Sequence, residues 1–319
     1  MAGKVKINFL FSVMDQPQAD SDILYHYCSM DSFVNIIKNK SIWFGDLKSM
    51  NDPSEMFLRN VNFPAYILAL YNKEPFEFVH EHNGYKNNMA EYLQPSQIEY
   101  SIMDGGKHSN SLFAFCLSNQ CNDLSQWRLY GDNGCGVCLG FKKSTIEKFI
   151  SNNDGFYLQS VQYFKSTKEV VEKIAKDILN NLKTMYENNQ NEELEKYRLE
   201  YTHNLINEWP KYKVKDYSSE NETRIVYKLK TSLMGNIDAS KIAQEDKNIE
   251  LRLKNNNLVE YVSVNLLDLG LESITLGPTN GNNKEAINLL LAKHDIDVKS
   301  SKIYKSTIPY RNWGETYEI

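Results

Sequence analysis

Apolar residues recur along this chain at two spacings, one suited to strands and one to helices. Ile23 to Tyr27 form a short apolar run. Met30, Phe33, Ile36 and Ile37 follow on one helical face. The pattern predicts a strand feeding an amphipathic helix, with Ser29 as N-cap and Asn39 or Lys40 as its end. Ile42 to Phe44 predicts a second strand. Asn51, Asp52 and Pro53 predict a turn, with Pro53 suited to the first turn of a new helix. Residues 60–110 read as mostly helical and irregular. Buried-type strands are expected at Ser111–Ser118, Gly136–Phe141 and Leu158–Phe164. Residues 167–208 predict a polar helical pair, with Val170, Val171, Ile174, Ile178, Leu179 and Leu182 at helical spacing. Glu222–Lys230, "VEYVSVN" and "SITLGP" predict strands, Ala286–Lys293 a helix, and "SKIYKSTIPY" a closing strand.

Strands and helices mix without regular alternation, which predicts an α+β fold rather than a doubly wound sheet. No internal repeat is visible. The chain reads as a single domain over 1–319, with a helical insertion at about 167–210 and an Asn- and Lys-rich surface insertion at about 236–257. Its 319 residues suffice for a sizeable core, and 41% hydrophobic with 24% charged residues is an ordinary soluble mixture. A net charge of -5 excludes the global basic footprint of a nucleic-acid binder, though not a local patch. Five cysteines, an odd number, argue against a disulfide framework and for a reducing cytoplasm. The apolar run Ile7–Met14 is short and lacks a cleavage site, so neither a secretion signal nor a membrane span is expected.

Four groups of residues bear on chemistry. Cys135 and Cys138 form C-x-x-C, with Cys116 and Cys121 upstream. Cys116 and Cys138 lie inside apolar strand patterns, so small-hydrophobe packing is expected rather than zinc. "GDNGCGVCLG" lacks the Lys-Ser/Thr of a phosphate loop and leads into a strand. Glu220, Glu222 and Arg224 alternate in an extended segment and project to one face, either as a charged site or as a solvated strand surface. Trp127 and Tyr130 share a face. They either stack a flat heterocycle or clasp a loop. His26, between Tyr25 and Tyr27, either packs quietly or does chemistry, while His80, His82, His108, His203 and His294 are expected mostly at the surface.

Three segments combine in order: "LYHYCSMDSFVNIIKNKSIWFGDLKSMNDPSE", "FAFCLSNQCNDLSQWRLYGDNGCGVCLGF" and "ENETRIVYK". Together with "SITLGP" and "SKIYKSTIPYR", they resemble the bacterial domain-of-unknown-function family 2971, over roughly residues 22–311. One departure is Cys116-Leu117-Ser118, where an aromatic is expected directly before the serine. The motif order is in turn similar to ADP-ribosyltransferases. That resemblance implies an antiparallel or mixed split-sheet core with peripheral helices, and NAD as a substrate without any metal. It also implies site residues. Glu222, Glu220 and His26 would be catalytic. His26, Tyr25, Tyr27, Ser118, Trp127, Tyr130, Arg224 and Asn51 would bind the dinucleotide. The implied function is an ADP-ribosyltransferase or NAD hydrolase serving as a toxin or anti-phage effector in the cytoplasm. The acceptor would be water, nucleic acid or protein, and an antitoxin or defence-system partner is implied. Two alternatives stay open. One is a non-enzymatic module that senses a nucleotide or a phage protein. The other is a metal-dependent nuclease using Asp52, Glu55, Asp123 and Glu222.

Overall fold

The Ser29 side chain accepts a hydrogen bond from the Ser32 amide at 3.2 Å and opens the first helix. Lys40 closes that helix in the left-handed region, with φ 48°. In the computed structural model the described residues are 20–52, 57–82, 85–93, 112–194, 196–197, 208–228 and 249–310. Strands in chain order are β1 (Ile23–Cys28), β2 (Ser41–Asp46), β3 (His80–His82), β4 (Tyr85–Asn87), β5 (Leu112–Ser118), β6 (Val137–Lys142) and β7 (Phe156–Ser160). They continue as β8 (Gln162–Phe164), β9 (Tyr212–Val214), β10 (Glu222–Lys228), β11 (Ile249–Lys254), β12 (Asn257–Asn265), β13 (Leu271–Leu276) and β14 (Ile303–Lys305). Helices are α1 (Met30–Asn39), α2 (Phe63–Tyr71), α3 (Met89–Tyr92), α4 (Leu124–Leu129), α5 (Lys143–Asn152), α6 (Thr167–Glu187), α7 (Leu266–Leu269) and α8 (Lys284–Lys293). The class is mixed α+β with largely antiparallel strand pairing.

The chain divides into two compact units. The first takes residues 1–41, 118–146 and 265–319. Its strands run in the order β1-β6-β13-β14, with only the β13–β14 pair parallel. Tyr27 lies opposite Cys138 and His26 opposite Leu139. Ile23, Tyr25 and Tyr27 share one face of β1 and pack on Trp127 and Cys138. Alternation puts His26 on the other face.

The loop before β6 is held by side-chain chemistry rather than by glycine alone. Asp132, Asn133 and Gly134 are successive left-handed residues, with φ 50°, 49° and 86°. Asn280, buried, donates its amide to the carbonyls of Cys135 at 2.7 Å and Gly136 at 2.9 Å. A Cβ at Gly136 would stand 2.2 Å from the Cys28 carbonyl oxygen, so only glycine fits there.

The second unit takes residues 42–117 and 147–264. Its strands run β11-β12-β2-β5-β10-β7, with β8–β9 and β3–β4 as two further pairs. Helix α6 starts at Ser166, whose hydroxyl accepts from the Glu169 amide. It buries Val170, Val171, Ile174, Ala175, Ile178 and Leu182 against a core that includes Phe63, Ile67, Tyr92 and Leu112. Each buried Val, Ile or Leu side chain contributes roughly 1.5–3 kcal/mol. This segment, expected as an insertion, therefore supplies core.

Several expectations change. The strand predicted over Leu158–Phe164 breaks at Val161, whose amide turns to the Glu222 carbonyl at 3.0 Å. The closing strand shortens to Ile303–Lys305. Within the predicted surface insertion, Ile249–Lys254 is a strand of a regular hairpin, and 236–248 lie outside the described residues. His80 is buried against the Tyr92 ring, with centroids 5.3 Å apart, rather than at the surface. Pro53, Glu55, His108, His203 and the side chain of His82 lie outside the described residues.

Asn280→Ala is expected to destabilise the protein by about 1–3 kcal/mol, because the half-buried Cys135 carbonyl loses this donor and the Gly136 carbonyl keeps only the Gly277 amide. Asn280→Asp should be no better, since a carboxylate cannot donate. Urea unfolding of both variants checks this.

Candidate functional site: a buried carboxylate–cation cluster

The second unit carries a group of four charged side chains almost without exposure: Lys213 5%, Glu220 4%, Glu222 6% and Arg224 0%. Arg224 grips Glu222 with two bonds, Nε to Oε1 at 2.7 Å and Nη2 to Oε2 at 3.0 Å. Lys213 Nζ reaches Glu220 Oε2 at 2.6 Å and Glu222 Oε2 at 3.3 Å. Arg224 Nη1 also donates to the Pro210 carbonyl at 3.3 Å. Two anions and two cations balance, which is how a low-dielectric interior tolerates them.

The local chain explains the placement. Strands β8 and β9 pair in parallel, with Tyr163 opposite Lys213. The Tyr163 hydroxyl accepts from the Glu222 amide at 2.9 Å, fixing the start of β10. Glu222 and Arg224 are two apart on β10 and so share a face. Glu220 arrives differently. It ends a 3-10 helix, Lys215–Glu220, and Asn221 then turns in the left-handed region with φ 42°. The expected alternation from Glu220 to Arg224 therefore holds only for its last two members. The solvated-surface alternative is overturned for all three, since each is paired and enclosed.

Burial pushes the Glu222 carboxyl upward, but Arg224 and then Lys213 more than offset it and bring it down to about 2. The Tyr163 hydroxyl goes the other way, pushed up to about 12 chiefly by burial. The Lys213 ammonium also sits over the Tyr217 ring, 4.6 Å from its centroid. Among the described residues, no three of His, Cys, Asp and Glu come together as a metal ion requires.

The first unit holds the other expected site residues except Asn51. Tyr27 is buried, its hydroxyl donating to the Gln120 carbonyl at 2.9 Å and accepting from the Asp123 amide at 3.0 Å. Its ring meets Trp127 edge-on, with centroids 4.9 Å apart. Trp127 is fully enclosed, and its indole donates to Asn122 at 3.1 Å. Tyr130 follows α4 and packs on the same group. Tyr25 is buried beside Cys121, and burial raises its hydroxyl pKa well above the usual value. The structure thus brings Tyr25, Tyr27, Trp127 and Tyr130 together as a loop clasp. It does not bring His26, half-buried on the opposite face of β1, to them. Ser118 is buried and accepts from the Gln120 amide at 3.1 Å. Asn51, in the second unit, is exposed. All five cysteines are free thiols.

Lys213 is the functional candidate that sequence reasoning missed. It sits among Lys211, Lys213 and Lys215, an alternation that reads as a wetted strand face. Only the fold reveals that the middle lysine points inward.

Fold and site together define a mixed α+β protein with a neutralised Glu-x-Glu-x-Arg cluster on one strand end. Residues 126–225 match the family model described as a protein of unknown function (DUF2971). That segment carries Trp127, Tyr130, the β6 motif and the Glu-x-Glu-x-Arg motif, so the resemblance read from the sequence stands there. No curated protein and no solved structure matches the chain. No helix among the described residues is long and apolar enough to cross a membrane.

Arg224→Ala should cost about 3–5 kcal/mol by stranding a buried carboxylate, measurable by denaturant unfolding. Acid should act through the same pair. Because the folded pKa of Glu222 lies below the usual 4.5, its stabilisation is complete above that pH and is lost as pH falls towards 2. Unfolding midpoints measured across that window should decline, and less steeply in Glu222→Gln.

Proposed function

We propose that the chain is a NAD-using ADP-ribosyltransferase or NAD hydrolase with a split-sheet core of that type, serving as a toxin or anti-phage effector. The supporting observation is that Glu220 and Glu222 converge on one ammonium, Lys213, while Glu222 is held ionised. Breaking the nicotinamide–ribose bond sends its electron pair to nicotinamide and leaves an oxocarbenium-like ribose. An ionised Glu222 accepts a bond from the ribose 2′-hydroxyl and stabilises that charge. The Lys213 contact, at 3.3 Å longer than either Arg224 bond at 2.7 and 3.0 Å, is the one a ribose hydroxyl replaces. Glu220 then takes the proton of the attacking water or acceptor hydroxyl. The acceptor is water, nucleic acid or protein, and a toxin of this kind calls for a restraining partner.

A second reading has its own support. Both oxygens of Glu222 are already bonded, which suits a non-enzymatic sensing module in which the cluster only pins β9 to β10. For the nuclease reading the support is weaker: Glu222 is held by two cations, and Asp123 caps α4 by accepting from the Gln126 amide.

Incubating the protein with NAD, with and without single-stranded nucleic acid and protein acceptors, should release nicotinamide. Glu222→Gln should lower that release at least a hundredfold, and Glu220→Gln should spare NAD cleavage more than transfer. Melting curves of both variants separate lost chemistry from lost folding. Release by a folded Glu222→Gln protein at the wild-type rate would sink the assignment, and no release by the wild type would favour the sensing module.

A further inference from the structure

Strand β11 ends the strand order of the second unit, and among the described residues no strand covers its outer edge. It joins β12 through Asn255 and Asn256, both left-handed with φ 49° and 61°, the conformation of a tight two-residue hairpin. In such a hairpin the flanking pair, Lys254 and Asn257, exchanges both backbone bonds. Arg252 and Glu250 then bond inward in the same way. Ile249, Leu251 and Leu253 turn their backbone N–H and C=O groups to the open edge. Leu251, Leu253 and the cross-strand Leu258 are 61%, 69% and 70% exposed. Neither a proline nor a bulge interrupts "IELRLK", and its charges are of both signs rather than one.

We propose that this edge pairs with β11 of a second copy of the chain, antiparallel about a twofold axis through Leu251. The charges select that register. Centred on Leu251, Glu250 faces Arg252 of the second copy, and the symmetric pair repeats it. Ile249 faces Leu253 of the second copy, and Leu251 faces its own mate. Centred one residue later, Arg252 would face itself, and like charges directly opposite are destabilising. Arg252 is already held along the strand face, its guanidinium 5.5 Å over the Trp43 ring. Glu250 is oriented by the Tyr261 hydroxyl at 2.6 Å. The contact is isologous, so it closes as a dimer rather than growing into a fibre. It is independent of the proposed chemistry of Glu222.

Sedimentation of the full chain across a micromolar concentration series tests the pairing. The wild type should show a monomer–dimer equilibrium. Glu250→Arg alone and Arg252→Glu alone should each weaken it at least about tenfold, because each puts like charges opposite at two places. An equal mixture of the two variants should associate again, since every pair between unlike chains is then complementary. That recovery also shows that both variants are folded. Leu251→Lys, at the axis, should abolish pairing and serves if Arg252→Glu does not fold. A wild type that stays monomeric throughout, a dimer indifferent to Glu250→Arg and Leu251→Lys, or a mixture of folded variants that fails to associate overturns the proposal.

Discussion

A carboxylate placed in a protein interior must find its counter-charge there or lose its own. Glu222 meets that requirement through Arg224, and the consequences spread outward from this pair. Arg224 reaches on to the Pro210 carbonyl, which fixes the approach to β9. Lys213, delivered by β9, neutralises Glu220 as well. The parallel β8–β9 pair, the short 3-10 turn and the left-handed Asn221 are the backbone arrangements that let all four charges meet. A shift of one residue in any of them would bury an unbalanced charge.

Local signals made much of the fold readable. Ser29 announced a helix start, the spacing from Val170 to Leu182 announced the buried face of α6, and apolar runs announced β5 and β6. These depend on residues close in sequence. What was not readable depends on distant partners. The break at Val161 follows from a bond to Glu222, 61 positions away by their residue numbers. His80 looked like a surface residue because nothing nearby in sequence predicts the Tyr92 ring beside it.

The site divides along the same line. The pairing of Glu222 with Arg224 follows from strand alternation and was legible. The inward turn of Lys213 was not, because lysines at alternate positions normally mark water. Trp127 and Tyr130 were recognised as sharing a face, yet their neighbours, Tyr27 above all, decide that this face is core. A residue type indicates which chemistry is available, whereas burial and partners decide whether that chemistry is spent on folding.

Among the described residues, six of the non-glycine residues with positive φ are asparagines: Asn122, Asn133, Asn189, Asn221, Asn255 and Asn256. Glycine would adopt these conformations more easily, but it would also give the unfolded chain more freedom to lose. Asparagine tolerates the left-handed region while keeping a side chain that restricts the unfolded ensemble. The turns that bring Glu220 to its cluster and that fold the β11–β12 hairpin thus resist unfolding partly through states the native protein never visits.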